Sequence, residues 1–214
     1  IIAGIAALAR RTGRCTMGVV WPVAQELLAF LRDVPGVHVV EVAGSLRRMK
    51  ATVGDLDVLA AVMNSTPVME AFIRHPYVAQ VLSHGTTKSS VEFESGLRVQ
   101  LWTHPVERFG TALQYATGSQ DHNVRLRELA LTRGLSLSEH ALTRSDGSAI
   151  LCANEHEVYH ALGLPYIPPE LREDTGEVQA ALDDRLPELL EHSQIRSELH
   201  AHTTWSDGTA SIET

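Results

Sequence analysis

The sequence is poor in cysteine: Cys15 and Cys152 are the only two among 214 residues. Two thiols without a Cys-rich spacing argue against a secreted disulfide scaffold and favour a reducing compartment. It also lacks an apolar run long enough to span a bilayer. The opening IIAGIAALA is short, its basic residues follow it rather than precede it, and it reads as a buried helix segment. Excess positive charge is missing too. A formal net charge of −8 argues against a uniformly basic nucleic-acid binder, although local basic patches can hold phosphates inside an acidic whole. There is no internal repeat and no low-complexity tract. The chain opens on Ile1 rather than Met and stops at Thr214 inside a motif-like stretch, which suggests a piece of a longer protein. What is present is a globular composition, 44% hydrophobic and 21% charged, enough to bury a core.

Apolar periodicity predicts a helix over PVAQELLAFLRD (22–33), with Pro22 suited to its first turn, then a strand over VHVVEVAG. DLDVLAAVM reads as a second strand and TPVMEAFIRH as a short helix. KSSVEFESGLRVQLWTH reads as two strands around a Ser95-Gly96 turn, completing a small mixed sheet. From about Pro105 the pattern turns helical: ERFGTALQYATG and HNVRLRELALTRG each end at a glycine, as a C-terminal stop would. LSLSEHALTR suits a short hairpin arm and EHEVYHALG another helix, whereas GLPYIPPEL is too proline-rich to continue one. An acidic stretch then leads into IRSELHAHTTWSDG, whose composition is different, and a linker is expected near 176–194.

Chemistry concentrates in GSLRRMKATVGDLD (44–57). Residues i and i+2 of a strand share a face, so Asp55 and Asp57 present their carboxylates together while Leu56 and Val58 turn to the core. Two like charges that close call for a hard cation, and Mg²⁺ takes carboxylate oxygens together with substrate phosphate oxygens. Gly44 and Ser45 offer backbone N–H groups and a hydroxyl, Gly54 permits close backbone approach, and Arg48 can pair bidentately with phosphate. A bare D-x-D also suits a solvated acidic turn. The whole pattern G-S-x-R-R-x-K-x-T-x-G-D-x-D is far more specific and points to a metal-bound triphosphate.

With that pattern the chain resembles the nucleotidyltransferases of the X-family DNA polymerases, most closely the bacterial members. The resemblance continues through YATGSQDHNVRLRELALTRGLSLSEHAL and HEVYHALGLPYIPPELRED. It implies an α+β fold: a nucleotidyltransferase-like palm (14–105) built on a small mixed sheet, followed by a helical α+β thumb (106–175). The end of the fingers (1–13) would precede the palm. It further implies that Asp55 and Asp57 hold two Mg²⁺ or Mn²⁺ ions and that Gly44, Ser45, Arg48 and Gly54 bind the β- and γ-phosphates. Tyr115 and Gly118 would lie against the nucleotide sugar. Asn123 and Arg127 would contact the nascent base pair and the template strand. These last two are spaced i, i+4, hence on one helical face; Arg125 and Arg133 suit a solvated charged surface.

Two departures stand out. Where the family carries a third Asp in the strand before the thumb, this chain has Gln100. An amide oxygen can ligate a cation, but it cannot accept the primer 3′-hydroxyl proton. With Ser95-Gly96 as a two-residue loop, Glu92 pairs with Val99 and faces away from Gln100; a one-residue slip reverses that. The second departure is Ala116, in place of the usual Phe, which would loosen packing against the sugar.

In ELHAHTTWSDG, His200 and His202 flank one residue and Asp207 follows. H-x-H in a polar segment is often unliganded, but this longer stretch resembles the first motif of the PHP (polymerase and histidinol phosphatase) domain, with Glu198 where Asp is usual. The resemblance makes 195–214 the truncated start of that domain, with His200, His202 and Asp207 as Zn²⁺ or Mn²⁺ ligands in the parent protein. The expected function is template-directed DNA polymerisation on gapped or primer–template DNA with a dNTP, in short-gap repair. The expected protein is a monomer, without membrane contact, in the bacterial cytoplasm and on the nucleoid when DNA-bound. The alternative is a non-catalytic DNA- or nucleotide-binding module serving a PHP phosphoesterase, a 3′-exonuclease.

Overall fold

The computed structural model describes residues 13–197 and 202–211; the IIAGIAALA segment, nearly all of the expected fingers remnant, Glu198 and His200 lie outside them. The first helix, α1 (Met17–Arg32), buries Val20, Ala24, Leu27, Leu28 and Leu31, an i, i+4, i+7, i+8, i+11 stripe that fixes its inner face. Pro22 is not in its first turn, as the sequence pattern suggested, but inside the helix. It is tolerated because Pro22 and Gly18, whose carbonyl loses its partner, both lie on the exposed side where water can take that bond.

Five strands form one mixed sheet: β1 (Val37–Val42), β2 (Asp55–Val62), β3 (Val78–His84), β4 (Lys88–Phe93) and β5 (Arg98–His104), in the order β1-β2-β5-β4-β3. Only the central pair β2 and β5 runs parallel. A one-turn helix α2 (Gly44–Arg47) joins β1 to the turn before β2, and α3 (Ser65–Ile73) crosses back towards β3. Edge strand β3 was not anticipated. Its residues after Val78 are exposed, so no buried face imposes a period-2 pattern on it.

Strand alternation divides the sheet. Leu56, Val58, Ala60, Val91, Phe93, Val99 and Leu101 join α1 and α3 in one core. On the opposite face Leu59 and Ala61 are covered by Phe109, Ala112 and Leu113 of α4 (Phe109–Thr117). The α4 cover stops short of the strand starts, where polar side chains stand instead: Asp55 is exposed, and Asp57, Arg98 and Gln100 are partly buried. A hydrophobic floor and a polar surface are thus set by alternate residues of the same two strands, on either side of the pleat.

A second core gathers Leu126 and Ala130 of α5 (Gln120–Thr132), Leu137 and Leu142 of a small sheet, and Val158 and Tyr159 of α6 (Glu155–Ala161). The small sheet comprises β6 (Leu135–Leu137), β7 (Leu142–Arg144) and β8 (Ala149–Ile150), the expected hairpin arm with one added strand. Its packing also takes in α7 (Glu177–Leu182): Ala181 is buried, and Val178 and Leu186 pack beside it. The first part of the stretch 176–194, expected as a linker, is therefore a docked helix. Its apolar Val178 and Ala181 are too few to announce themselves in an acidic sequence.

Candidate functional site

Parallel pairing places Asp55 opposite Arg98 and Asp57 opposite Gln100. Antiparallel pairing places Ser90 opposite Gln100 and Glu92 opposite Arg98. Asp55, Asp57 and Gln100 thus share one face of the sheet. Glu92 does not pair with Val99. The connection between β4 and β5 is wider than two residues, closed by the Phe93 N–H donating to the Leu97 carbonyl, so the register slips by one and Glu92 turns to the Gln100 face. It is buried there, opposite Arg98.

Beyond the sheet face lies a cavity of about 530 Å³. Gly44, Ser45, Arg48 and Asp57 line one side; Tyr115, Gly118, Asn123 and Arg127 line the other, with Trp102 and Ala116 between. Gly54 and Asp55 do not line it, and neither does Gln100. Two glycines are fixed by geometry. Gly44 has φ +60°, and a Cβ there would fall 2.5 Å from Asp57 Oδ2. Gly118 has φ +68°, and its Cβ would stand 3.2 Å from Arg48 Nη1. Both positions combine a left-handed backbone with close approach of a functional side chain, which only glycine permits.

The electrostatics are lopsided. Burial and, after it, the neighbouring Asp55 charge push the Asp57 carboxyl up to about 6, while Lys88 and Arg48 pull the other way. Lys88 stands 4.5 Å above the Trp102 ring, and the Trp102 indole N–H is buried without an acceptor. Two carboxylates, one half-desolvated, beside an amide oxygen make a donor set suited to a hard divalent cation. Among the described residues no three His, Cys, Asp or Glu side chains come together as a fuller metal cluster.

The arginines are already partnered. Arg48 donates from Nε to Glu173 at 2.8 Å and from Nη1 to the Thr117 carbonyl at 2.5 Å. Arg47 donates to Thr117 Oγ1 and to Glu155, both at 2.6 Å, and Glu155 also receives the buried Arg172 at 2.5 Å. Asn123, expected at the base pair, uses its amide within the fold: its carbonyl accepts from Gln114 and its NH₂ donates to the Tyr115 carbonyl, both at 2.8 Å. Arg127 is exposed and donates to the Asn123 carbonyl at 3.2 Å. His202 Nδ1 and the Asp207 carboxylate are hydrogen-bonded to each other and do not line the cavity, while His200 lies outside the described residues.

Sequence reading missed Trp102, Lys88 and Glu173. Trp102 was within reach, being two residues after Gln100 on the same strand face. Glu173 was not, since its partner lies 125 residues away.

Residues 112–173 match the family model described as DNA polymerase beta thumb. The chain is 36% identical over 217 aligned residues to the DNA polymerase/3′-5′ exonuclease PolX of Bacillus subtilis (strain 168), covering 99% of this chain and 37% of that protein. It is 29% identical over 159 residues to DNA polymerase lambda of Rattus norvegicus, 61% of this chain and 28% of that protein. The chain therefore spans about a third of the length of the curated relatives it matches. By these matches, 36% identity along nearly the whole of this chain and the thumb model over 112–173, the chain is a member of the X-family DNA polymerases.

Proposed function

We propose that this chain is the nucleotidyl-transfer core of an X-family DNA polymerase, acting on gapped or primer–template DNA with a dNTP in short-gap repair. The observation that carries the reading is the convergence of Asp57, Ser45 and Arg48 on one cavity whose far side holds Tyr115, Gly118, Asn123 and Arg127. Asp55 and Asp57 are the residues that would hold Mg²⁺ or Mn²⁺. Bound there, such ions would supply positive charge to the phosphates. Ser45 and Arg48 would take the outer phosphates, and Tyr115 with Gly118 would bound the sugar. The reaction is attack of a primer 3′-OH on the α-phosphorus, releasing pyrophosphate. Gln100 lies beside Asp57 and can orient a ligand through its carbonyl, but it has no lone pair basic enough for the hydroxyl proton. The palm and thumb assignments (14–105 and 106–175) and the truncated PHP start at 195–214 belong to this reading.

Single-turnover gap filling by the chain, with Asp57→Ala as control, tests it. Extension by wild type that is lost in Asp57→Ala is the expected outcome; extension that survives Asp57→Ala would sink the assignment. Gln100 also favours a second reading, a non-catalytic nucleotide- and DNA-binding module serving a 3′-exonuclease. That reading predicts dNTP–Mg²⁺ binding without extension by wild type or Gln100→Asp.

A further inference from the structure

The two consecutive arginines of the Gly44–Arg48 turn are each held by a glutamate from beyond α5. Arg47 meets Glu155 at the start of α6, and Arg48 meets Glu173 in the turn before α7. In the second contact Arg48 lines the cavity and Glu173 holds it from outside the lining. Arg48 has five N–H bonds: Nε–H goes to Glu173 and one Nη1–H to the Thr117 carbonyl. Nη2 takes part in neither bond. The guanidinium is therefore gripped at two of its three nitrogens, with both Nη2–H bonds and one Nη1–H left over for an anion such as a phosphate.

Glu173 is well placed to grip. Its neighbour Arg172 is buried, bonded to Glu155 and to the Ile167 carbonyl at 2.9 Å, and its carbonyl receives the Ser119 N–H at 3.0 Å on the cavity rim. Backbone and cavity wall are thus tied together one residue away. Lys50 lies 3.4 Å from the same Glu173 oxygen, so two cations from the palm turn share one carboxylate, and a net positive charge remains for an anion. Burial raises the Glu173 carboxyl, but the bonds from Arg48 and Lys50 outweigh it and hold it below the ordinary range.

We infer that Glu173 is a positioning residue for nucleotide binding: with the Thr117 carbonyl it fixes the Arg48 guanidinium so that its remaining N–H groups, those of Nη2 among them, meet the triphosphate. The inference rests on the phosphate role proposed above for Arg48. Without Glu173 the long arginine side chain must be ordered by the ligand, and ordering one rotamer-rich side chain corresponds to about a two- to tenfold loss of affinity.

The test is titration calorimetry of the chain with dGTP–Mg²⁺, together with KM and kcat for single-nucleotide gap filling. Arg48→Ala should give the largest loss of affinity. Glu173→Ala should weaken binding about two- to tenfold and raise KM by a similar factor, with kcat nearly unchanged. Glu173→Gln should bind within about twofold of wild type, because its amide carbonyl still accepts the Nε–H. The double variant should bind no worse than Arg48→Ala alone, since Glu173 then has nothing to position. Should Glu173→Ala melt early, Glu173→Asp, shorter by one methylene, stands in with an intermediate loss. Unchanged or tighter binding in Glu173→Ala, or additive losses in the double variant, would overturn the inference while leaving Arg48 as a phosphate ligand. Unchanged binding in Arg48→Ala would remove the phosphate role and the inference with it.

Discussion

Two neighbouring groups on one side of the site, the arginine wall of the Gly44–Arg48 turn and the acidic wall of Asp55 and Asp57, are in opposite states of satisfaction; of these four side chains only Arg48 and Asp57 line the cavity. On the arginine wall, Arg47 and Arg48 reach four acceptors, two carboxylates and two atoms of Thr117, before any ligand arrives. On the acidic wall, Asp57 is desolvated beside Asp55 and its carboxyl is pushed up to about 6. The arginines are held in place by protein partners, whereas the Asp57 carboxylate is offset only in part, by Lys88 and Arg48. A site of this kind places its rigidity where the nucleotide's outer phosphates would be held and its unsatisfied charge where the chemistry would occur.

The strongest way to sharpen this contrast is to change the acidic wall. Gln100→Asp should raise the single-turnover gap-filling rate by roughly 10²–10⁴-fold, the range for a positioned base, and should tighten Mg²⁺ binding because a charge is added. Tighter Mg²⁺ binding at an unchanged rate would mean that proton transfer does not limit. Next is the arginine wall. Glu155→Ala leaves Arg172 buried and unpaired, so urea unfolding should show a loss of about 3–5 kcal/mol, whereas the partly exposed Arg48–Glu173 pair should contribute much less.

Asp57→Asn should act in the reverse sense. A carboxyl whose folded-state value is raised from 3.8 to about 6 contributes stability that is fully present below about pH 4 and lost as pH rises through 6. In chelator, thermal melts at pH 7 should therefore show Asp57→Asn more stable than wild type by up to about 3 kcal/mol, with the gain vanishing near pH 3. Mg²⁺ should stabilise wild type and not the variant; equal stabilisation of both would break the contrast between the walls. The smallest expected effect is at Arg125, whose side chain is 58% exposed and paired only with Glu128 and Asp174 at the surface. Arg125→Ala should shift stability by no more than about 0.5 kcal/mol and leave gap filling intact, unlike Arg127→Ala on the cavity.

Much of the architecture was legible because local rules carried it. Period-2 alternation placed Asp55 and Asp57 on one face and Leu56 and Val58 on the other, and Gly118 and Gly134 marked the ends of α4 and α5. Pro22 misled because a helix start was inferred from one residue, whereas burial of the Val20–Leu31 stripe decided where the helix runs. The face of Glu92 stayed open between two registers because a hairpin hinges on one residue of loop length, and the structure takes the slipped one.

What the sequence determined by itself is the set of groups that can do chemistry: the paired aspartates, the glycines beside them, the amide at position 100 and the arginine pair. Each follows from side-chain type and the period of its own segment. What only the tertiary structure decided is which of those groups remain available. Arg48 is committed to Glu173 and Asn123 to Gln114 and Tyr115. Those partners lie 8 to 125 residues apart, and no local period encodes a contact made only when two cores pack against one turn.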